Sequence, residues 1–228
     1  MIKKNYLNGV YRGKVAQRYG IETAIDKSSV EESLFLSFNG LEGDQCADLE
    51  HHGGPDRALH QYPHEHYAYW AEKYGNAIDW QTAGMGENLS SEGMTEDNVC
   101  LGDRYQWGEA IIEVCQPRSP CFKLNKHWGI ETFSVDMQQI SRCGWLYRVI
   151  KPGIVSVRDP LVLIERVSNA MTLREVCVIF FGNPLDKTGL EQLRQQGKLS
   201  NSWLSKVEQR LETNEVESWN FRLYGPVV

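Results

Sequence analysis

Short runs of strand-forming residues, broken repeatedly by glycine and proline, fill the first 168 positions, and only two stretches among them carry helical spacing. A doubly wound α/β sheet needs a helix between successive strands, so this pattern favours a closed or folded-over β architecture. "GVYRGKVAQ" (9–17) has strand composition, and "VCLGDRYQWGEAIIEVCQ" (99–116) reads as two strands meeting near Trp107-Gly108. "GWLYRVIKPGIVSV" (144–157) reads as two short strands around a Lys151-Pro152-Gly153 turn, and "PLVLIERVS" (160–168) as a last buried strand. The helical exceptions are "YPHEHYAYWAEKYG" (62–75), starting near Pro63 and closed by Gly75, and "SVDMQQISRCG" (134–144).

After about residue 170 the character changes. "TLRE" (172–175) and "TGLE" (188–191) are capping-box patterns, the second followed by a stop at Gly197. "SNSWLSKVEQRLE" (200–212) sets Trp203, Leu204, Val207 and Leu211 on one helical face. The expectation is therefore a mainly β body over 1–168 and a small three-helix domain over 169–228. From 172 onward seven Lys/Arg balance seven Asp/Glu, so the tail lacks the basic footprint of a DNA reader and suits packing or partner docking.

The formal net charge of −6 argues against a general polyanion binder. No apolar run approaches the ~20 residues of a membrane span. The start, "MIKKNYLNGVYRGK", lacks the apolar core of a signal peptide. Six scattered cysteines without a CxxC read as reduced thiols, and the expected location is the cytoplasm.

Three segments carry chemistry. In "QPRSPCFKLN" (116–125), Pro117 and Pro120 stiffen a loop that presents Cys121 between the cations Arg118 and Lys123. Cationic neighbours lower a thiol pKa, which marks Cys121 as a nucleophile or soft metal ligand; Cys115, Cys143 and Cys177, amid apolar residues, read as small core hydrophobes. In "GLEGDQCADLEHHGGPDRALHQYPHEH" (40–66), a Gly53-Gly54-Pro55 turn offers bare backbone N–H groups to an anion. His51, His52, Arg57 and His60 surround that turn, with Asp44, Asp48 and Asp56 available to orient them. Five of the six histidines lie here, so zinc at His60, His64 and His66 with Glu65 is an alternative, although the spacing is not that of a zinc helix. In "GENLS" (86–90), Asn88 follows a glycine turn and has an amide to offer a heteroaromatic ring.

Together, "GLEGDQ…HHGGPDRALHQYP", "GENLS" and "QPRSPCFKLN", in this order and followed by a helical tail, resemble the MOSC-domain family in its YiiM-type branch. The resemblance implies a β-barrel-like body and a molybdenum cofactor (molybdopterin with Mo) whose metal is held by Cys121. It further implies cofactor contacts from His52, Gly53, Gly54, Arg57, His60, Asn88, Arg118, Lys123 and Asn125, with His60 relaying protons. The implied activity is reduction of N-hydroxylated compounds, such as N-hydroxylated purine bases, with detoxification as its use. After Cys143 only Cys177 remains, too few for a fused iron–sulfur domain, so electrons are expected from a separate flavoprotein or iron–sulfur protein. The other expectations are no nucleic-acid or membrane partner and a tail that docks a redox partner or a second copy in a homodimer. The rival reading keeps the fold but makes the chain a cofactor or sulfur carrier, with a persulfide on Cys121.

Overall fold

Ala110–Pro117 is an eight-residue segment in which every residue but Ile111 is buried, the pattern of a strand covered on both faces. In the computed structural model, which describes residues 4–49 and 52–226, that segment is an interior strand of the main sheet. The strands before it are β1 (Lys4–Asn5), β2 (Leu7–Gly13), β3 (Ala16–Arg18), β4 (Ile21–Thr23), β5 (Lys27–Ser29), β6 (Leu34–Ser37), β7 (Gly40–Leu41), β8 (Leu59–Pro63), β9 (Leu89–Ser91) and β10 (Arg104–Trp107). The Ala110–Pro117 strand is β11, followed by β12 (Trp145–Lys151), β13 (Gly153–Val155) and β14 (Leu161–Glu165). Nine of them form one sheet in the order β1-β14-β10-β11-β12-β8-β9-β2-β5. The β-rich body stands, but this sheet is open rather than closed into a barrel: β1 and β5 are its two edges. A smaller sheet, β13-β6-β7, packs with it around Leu36, Trp107, Val114, Tyr147 and Val155.

The helices of the body are α1 (His66–Tyr74), α2 (Phe122–Trp128) and α3 (Phe133–Ile140). Pro63 does not start α1; it ends β8, and the helix opens three residues later. These helices share an aromatic core in which Trp70 and Phe133 lie 4.6 Å apart by ring centroid, with Trp80 and Trp128 beside them.

The tail holds the three expected helices, α4 (Leu173–Cys177), α5 (Lys187–Gln195) and α6 (Asn201–Thr213), and among the described residues a further short one, α7 (Asn220–Tyr224). Thr172 and Glu175 make both halves of the expected capping box. At the second pattern the cap is instead Asp186, whose carboxylate accepts from the Gly189 N–H, so Thr188 falls inside α5. Between α4 and α5 the chain widens into a π-turn over Val178–Gly182. Arg210, 1% exposed, ties the tail together by two hydrogen bonds to the Glu217 carboxylate (2.8 and 2.9 Å) and one to the Phe180 carbonyl.

The tail is pinned to the body along a line that ends at α2. Ser200 donates its N–H to the Cys115 carbonyl and its hydroxyl to Gln116 Oε1. Arg174 donates to the Ile140 carbonyl at 2.6 Å. Asn125 Nδ2 donates to the Leu223 carbonyl at 2.8 Å. Truncation of Phe133, fully buried in the aromatic core, is expected to remove about 3–5 kcal/mol of stability. For Phe133→Ala, urea unfolding should show a lower midpoint at an unchanged slope.

Candidate functional site

Between the end of β11, the 42–60 segment, the turn before β9 and the tail lies a cavity of about 1020 Å³. Cys121 stands at its wall as the N-cap of α2, in extended conformation and 5% exposed. The Arg118 N–H donates to the Gly144 carbonyl at 3.0 Å, which with Pro117 and Pro120 leaves this segment little freedom. Burial alone pushes the Cys121 thiol up. Against burial act a hydrogen bond from His52, the positive charges of His52 and Arg118, and the Lys123 backbone N–H, which together bring it down to about 6. Cys115, buried four residues before Arg118's neighbour Ser119, shows the opposite: burial dominates there and pushes its thiol up to about 12.

His52 is oriented by Asp48, whose Oδ2 lies 3.3 Å from its Nδ1, leaving the other ring nitrogen for the thiolate. Of the other acidic residues read as orienting groups, Asp44 pairs with Lys27 at 2.5 Å and Asp56 with Arg148 at 2.7 Å. His51 lies outside the described residues. Gly54 takes φ 99° at the entry to the Pro55–Arg57 turn, a conformation that disfavours any side chain. Arg57 donates to the Gly53 carbonyl at 3.2 Å and to Ser202 Oγ at 3.3 Å, and among the described residues it has no carboxylate partner.

His60, on β8, is 7% exposed, lines the cavity, and its Nε2 is buried without a hydrogen-bond partner. Burial first, and the Arg118 charge second, hold its pKa well below the usual histidine range, so the ring is neutral. His60 is thus a neutral group in the cavity wall with an unpartnered ring nitrogen. Gly144 passes close over it. A Cβ at residue 144 would come within 2.3 Å of the Gln61 carbonyl oxygen and 3.0 Å of His60 Nε2, so glycine is required there.

Asn88 does line the cavity, yet both of its amide hydrogens are committed. Nδ2 donates to the Tyr11 carbonyl and Asp44 Oδ2, while Oδ1 accepts the His60 N–H at 3.0 Å. It extends the parallel β8·β9 ladder and positions His60. Glu87 braces the same turn by accepting from the Tyr67 hydroxyl and the Ala83 and Met85 N–H groups.

The Lys123 ammonium donates away, to the Glu22 carbonyl at 3.3 Å; its backbone N–H is what faces the sulfur. Asn125 is not part of the cavity wall. Its oxygen accepts the Ser134 N–H and its nitrogen serves Leu223, joining α2 to α3 and α7. The histidine cluster does not converge either: His66 Nε2 is 2.7 Å from Glu96 Oε2 in the core, and His64 is exposed. Among the described residues no group of three or more His, Cys, Asp or Glu is arranged to hold a metal ion.

Sequence reasoning missed a whole wall. Ser202, Trp203, Lys206, Trp219, Phe221 and Arg222 of the tail line the cavity, as do Lys27 and Met85. Within the lining, Lys27, Arg57, Arg118, Lys123, Lys206 and Arg222 outnumber Asp44, Asp48 and Glu217, in a chain whose net charge is −6.

Comparison with known proteins shows the family and agrees with the fold. The MOSC domain family matches residues 48–162, and the YiiM-like, 3-alpha helix domain matches 171–214. The chain is 44% identical to Protein YiiM of Escherichia coli (strain K12), over 95% of its own length and 97% of that protein's. The crystal structure of YiiM from Escherichia coli superposes with a TM-score of 0.85 at 40% identity, covering 98% of this chain and 100% of that one. A Gibberella moniliformis protein named Reductase is 38% identical over 64% of this chain, which spans 26% of that protein. No helix among the described residues is long and apolar enough to cross a membrane.

The thiolate reading has a direct check. Iodoacetamide labelling of Cys121, followed by peptide mass mapping, should rise with pH as the thiolate forms, half-maximal near pH 6. His52→Ala removes a hydrogen bond and a charge that favour the anion, so its midpoint should move upward. A midpoint of ~8.5 in the unaltered chain, that of an ordinary thiol, would contradict the reading.

Proposed function

Because the chain belongs to the MOSC-domain family, a molybdenum-cofactor-binding family, and to its YiiM-like branch, we propose that it is a molybdenum-cofactor-dependent reductase of N-hydroxylated compounds such as N-hydroxylated purine bases. The observation that carries the reading is the thiolate-biased, nearly buried Cys121 in the wall of a cation-rich cavity. A soft thiolate is the ligand that a thiolate-seeking metal such as molybdenum prefers over nitrogen or oxygen donors.

The residues fit the group. Cys121 would hold the metal. Arg57 and the Gly53-Gly54 turn, with Ser202 beside them, would take its anionic phosphate, since a guanidinium and bare N–H groups suit phosphate oxygens. His60 Nε2, buried and unpartnered, would gain from a ligand the hydrogen bond it lacks. Arg118, which has no carboxylate partner among the described residues, would offset negative charge on the cofactor or on Cys121. When bound, the cofactor supplies the two-electron chemistry of the reaction.

The net reaction takes R–NH–OH, two electrons and two protons to R–NH2 and water. The electrons come from a separate flavoprotein or iron–sulfur protein. The chain's contribution is ligation, charge balance and exclusion of bulk water by the tail wall. A sulfur carrier would use the same Cys121 but has no need of a cavity of about 1020 Å³ lined by six Lys/Arg.

The test is reduction of an N-hydroxylated purine base by the cofactor-loaded protein with a flavoprotein donor, followed by loss of substrate and appearance of the amine. Cys121→Ser is expected to lower turnover by at least about a hundredfold, since it removes the group that ligates and places the metal. Equal turnover in the two proteins would overturn the proposal.

A further inference from the structure

The tail reaches the cysteine loop through one side chain. Arg222, on α7, donates Nη1–H to the Pro120 carbonyl at 2.6 Å, directly before Cys121, and Nη2–H to Gln138 Oε1 on α3, also at 2.6 Å. It lines the cavity, and no carboxylate among the described residues pairs with it. The same α7 carries Phe221, whose ring meets that of Phe122 at 6.1 Å, one residue after Cys121. A largely desolvated guanidinium that bridges two neutral acceptors, with no carboxylate among the described residues in ion-pair contact, is an expensive way to fasten a helix. An apolar contact would dock α7 at lower cost. What the guanidinium adds is direction: its planar fork fixes the Pro120 carbonyl relative to α3, and with it the peptide that leads into Cys121.

We infer that Arg222 is the positioning residue through which the helical tail holds the Cys121 loop closed, so that the tail is a structural part of the cysteine site rather than a separate docking module. The inference rests on the reading of Cys121 as the working group of the site. It does not depend on the cofactor being molybdenum. Lysine at residue 222 keeps the positive charge beside the cavity, but a single ammonium on a flexible stem does not reproduce the planar fork. The loop from Pro117 to Cys121 then opens more often, and Cys121, 5% exposed in the closed form, meets solvent more often.

The experiment is the iodoacetamide rate at Cys121 in the full chain without cofactor, at pH 8, well above its midpoint, so that the rate reports access rather than thiolate fraction. Arg222→Lys is expected to label about tenfold faster than the unaltered chain, the size of effect that follows from loss of one charge-assisted hydrogen bond. Arg210→Lys is the control. Arg210 is more deeply buried in the tail and also bridges two partners, Glu217 and Phe180, so its loss weakens the tail's own core without touching Pro120. Acceleration in Arg222→Lys with no change in Arg210→Lys supports the inference. An unchanged rate in Arg222→Lys, or equal acceleration in both variants, overturns it, the latter because the tail would then act only through general stability. Failure of the reductase proposal appears separately, as absent turnover in the assay above, and leaves this labelling result standing.

Discussion

Everything at the site depends on a thiolate held where water scarcely reaches it. Removing Cys121 from solvent disfavours the anion, and only the donors and cations around it reverse the balance. That requirement explains otherwise unrelated details. It accounts for Asp48 behind His52, for an α2 whose first turn points a backbone N–H at the sulfur, and for Arg118 on a segment stiffened by two prolines. Cys115, on β11, lacks those donors, and burial dominates it. The contrast between two cysteines six residues apart shows that it is local donors, not depth, that separate a working thiol from a packing one.

The sheet and the tail divide the labour. The parallel β8·β9 pairing brings His60 beside Asn88 and sets the back of the cavity, with Gly144 leaving just enough room for the imidazole. The tail closes the opposite side, fastened at Ser200, Arg222 and Leu223 to the segments on either side of Cys121. An open sheet could not enclose such a cavity alone. The helical segment supplies the missing wall, and six of its cavity residues, Phe180, Trp203, Lys206, Trp219, Phe221 and Arg222, are aromatic or cationic.

How much of this was legible in the sequence follows from the range of the interactions. Strand runs around β10, β11 and β12, the Thr172 capping box and the stiff loop that carries Cys121 are written locally, in adjacent residues, and are legible there. The open sheet could not, because closure depends on which edge strands meet, and β1 and β5 are short segments with no distinctive pattern. The resemblance implies Asn88 and Asn125 as cofactor contacts, and the partners that occupy their amides are not visible in one dimension. Their partners, Tyr11 and Asp44 for one and Leu223 for the other, lie 77, 44 and 98 residues away. Arg222 was invisible for the same reason: its acceptor is 102 residues back, and nothing in "WNFRLYG" distinguishes it from a surface arginine.

The central claim is that Cys121 holds molybdenum in the cavity. The measurement that tests it most directly is the metal content of protein produced in cells that make the cofactor, with the unaltered chain beside Cys121→Ser. The account predicts molybdenum approaching one atom per chain in the former and its loss in the latter, with both proteins folded. Absence of molybdenum from the unaltered chain, or equal retention by Cys121→Ser, would contradict it.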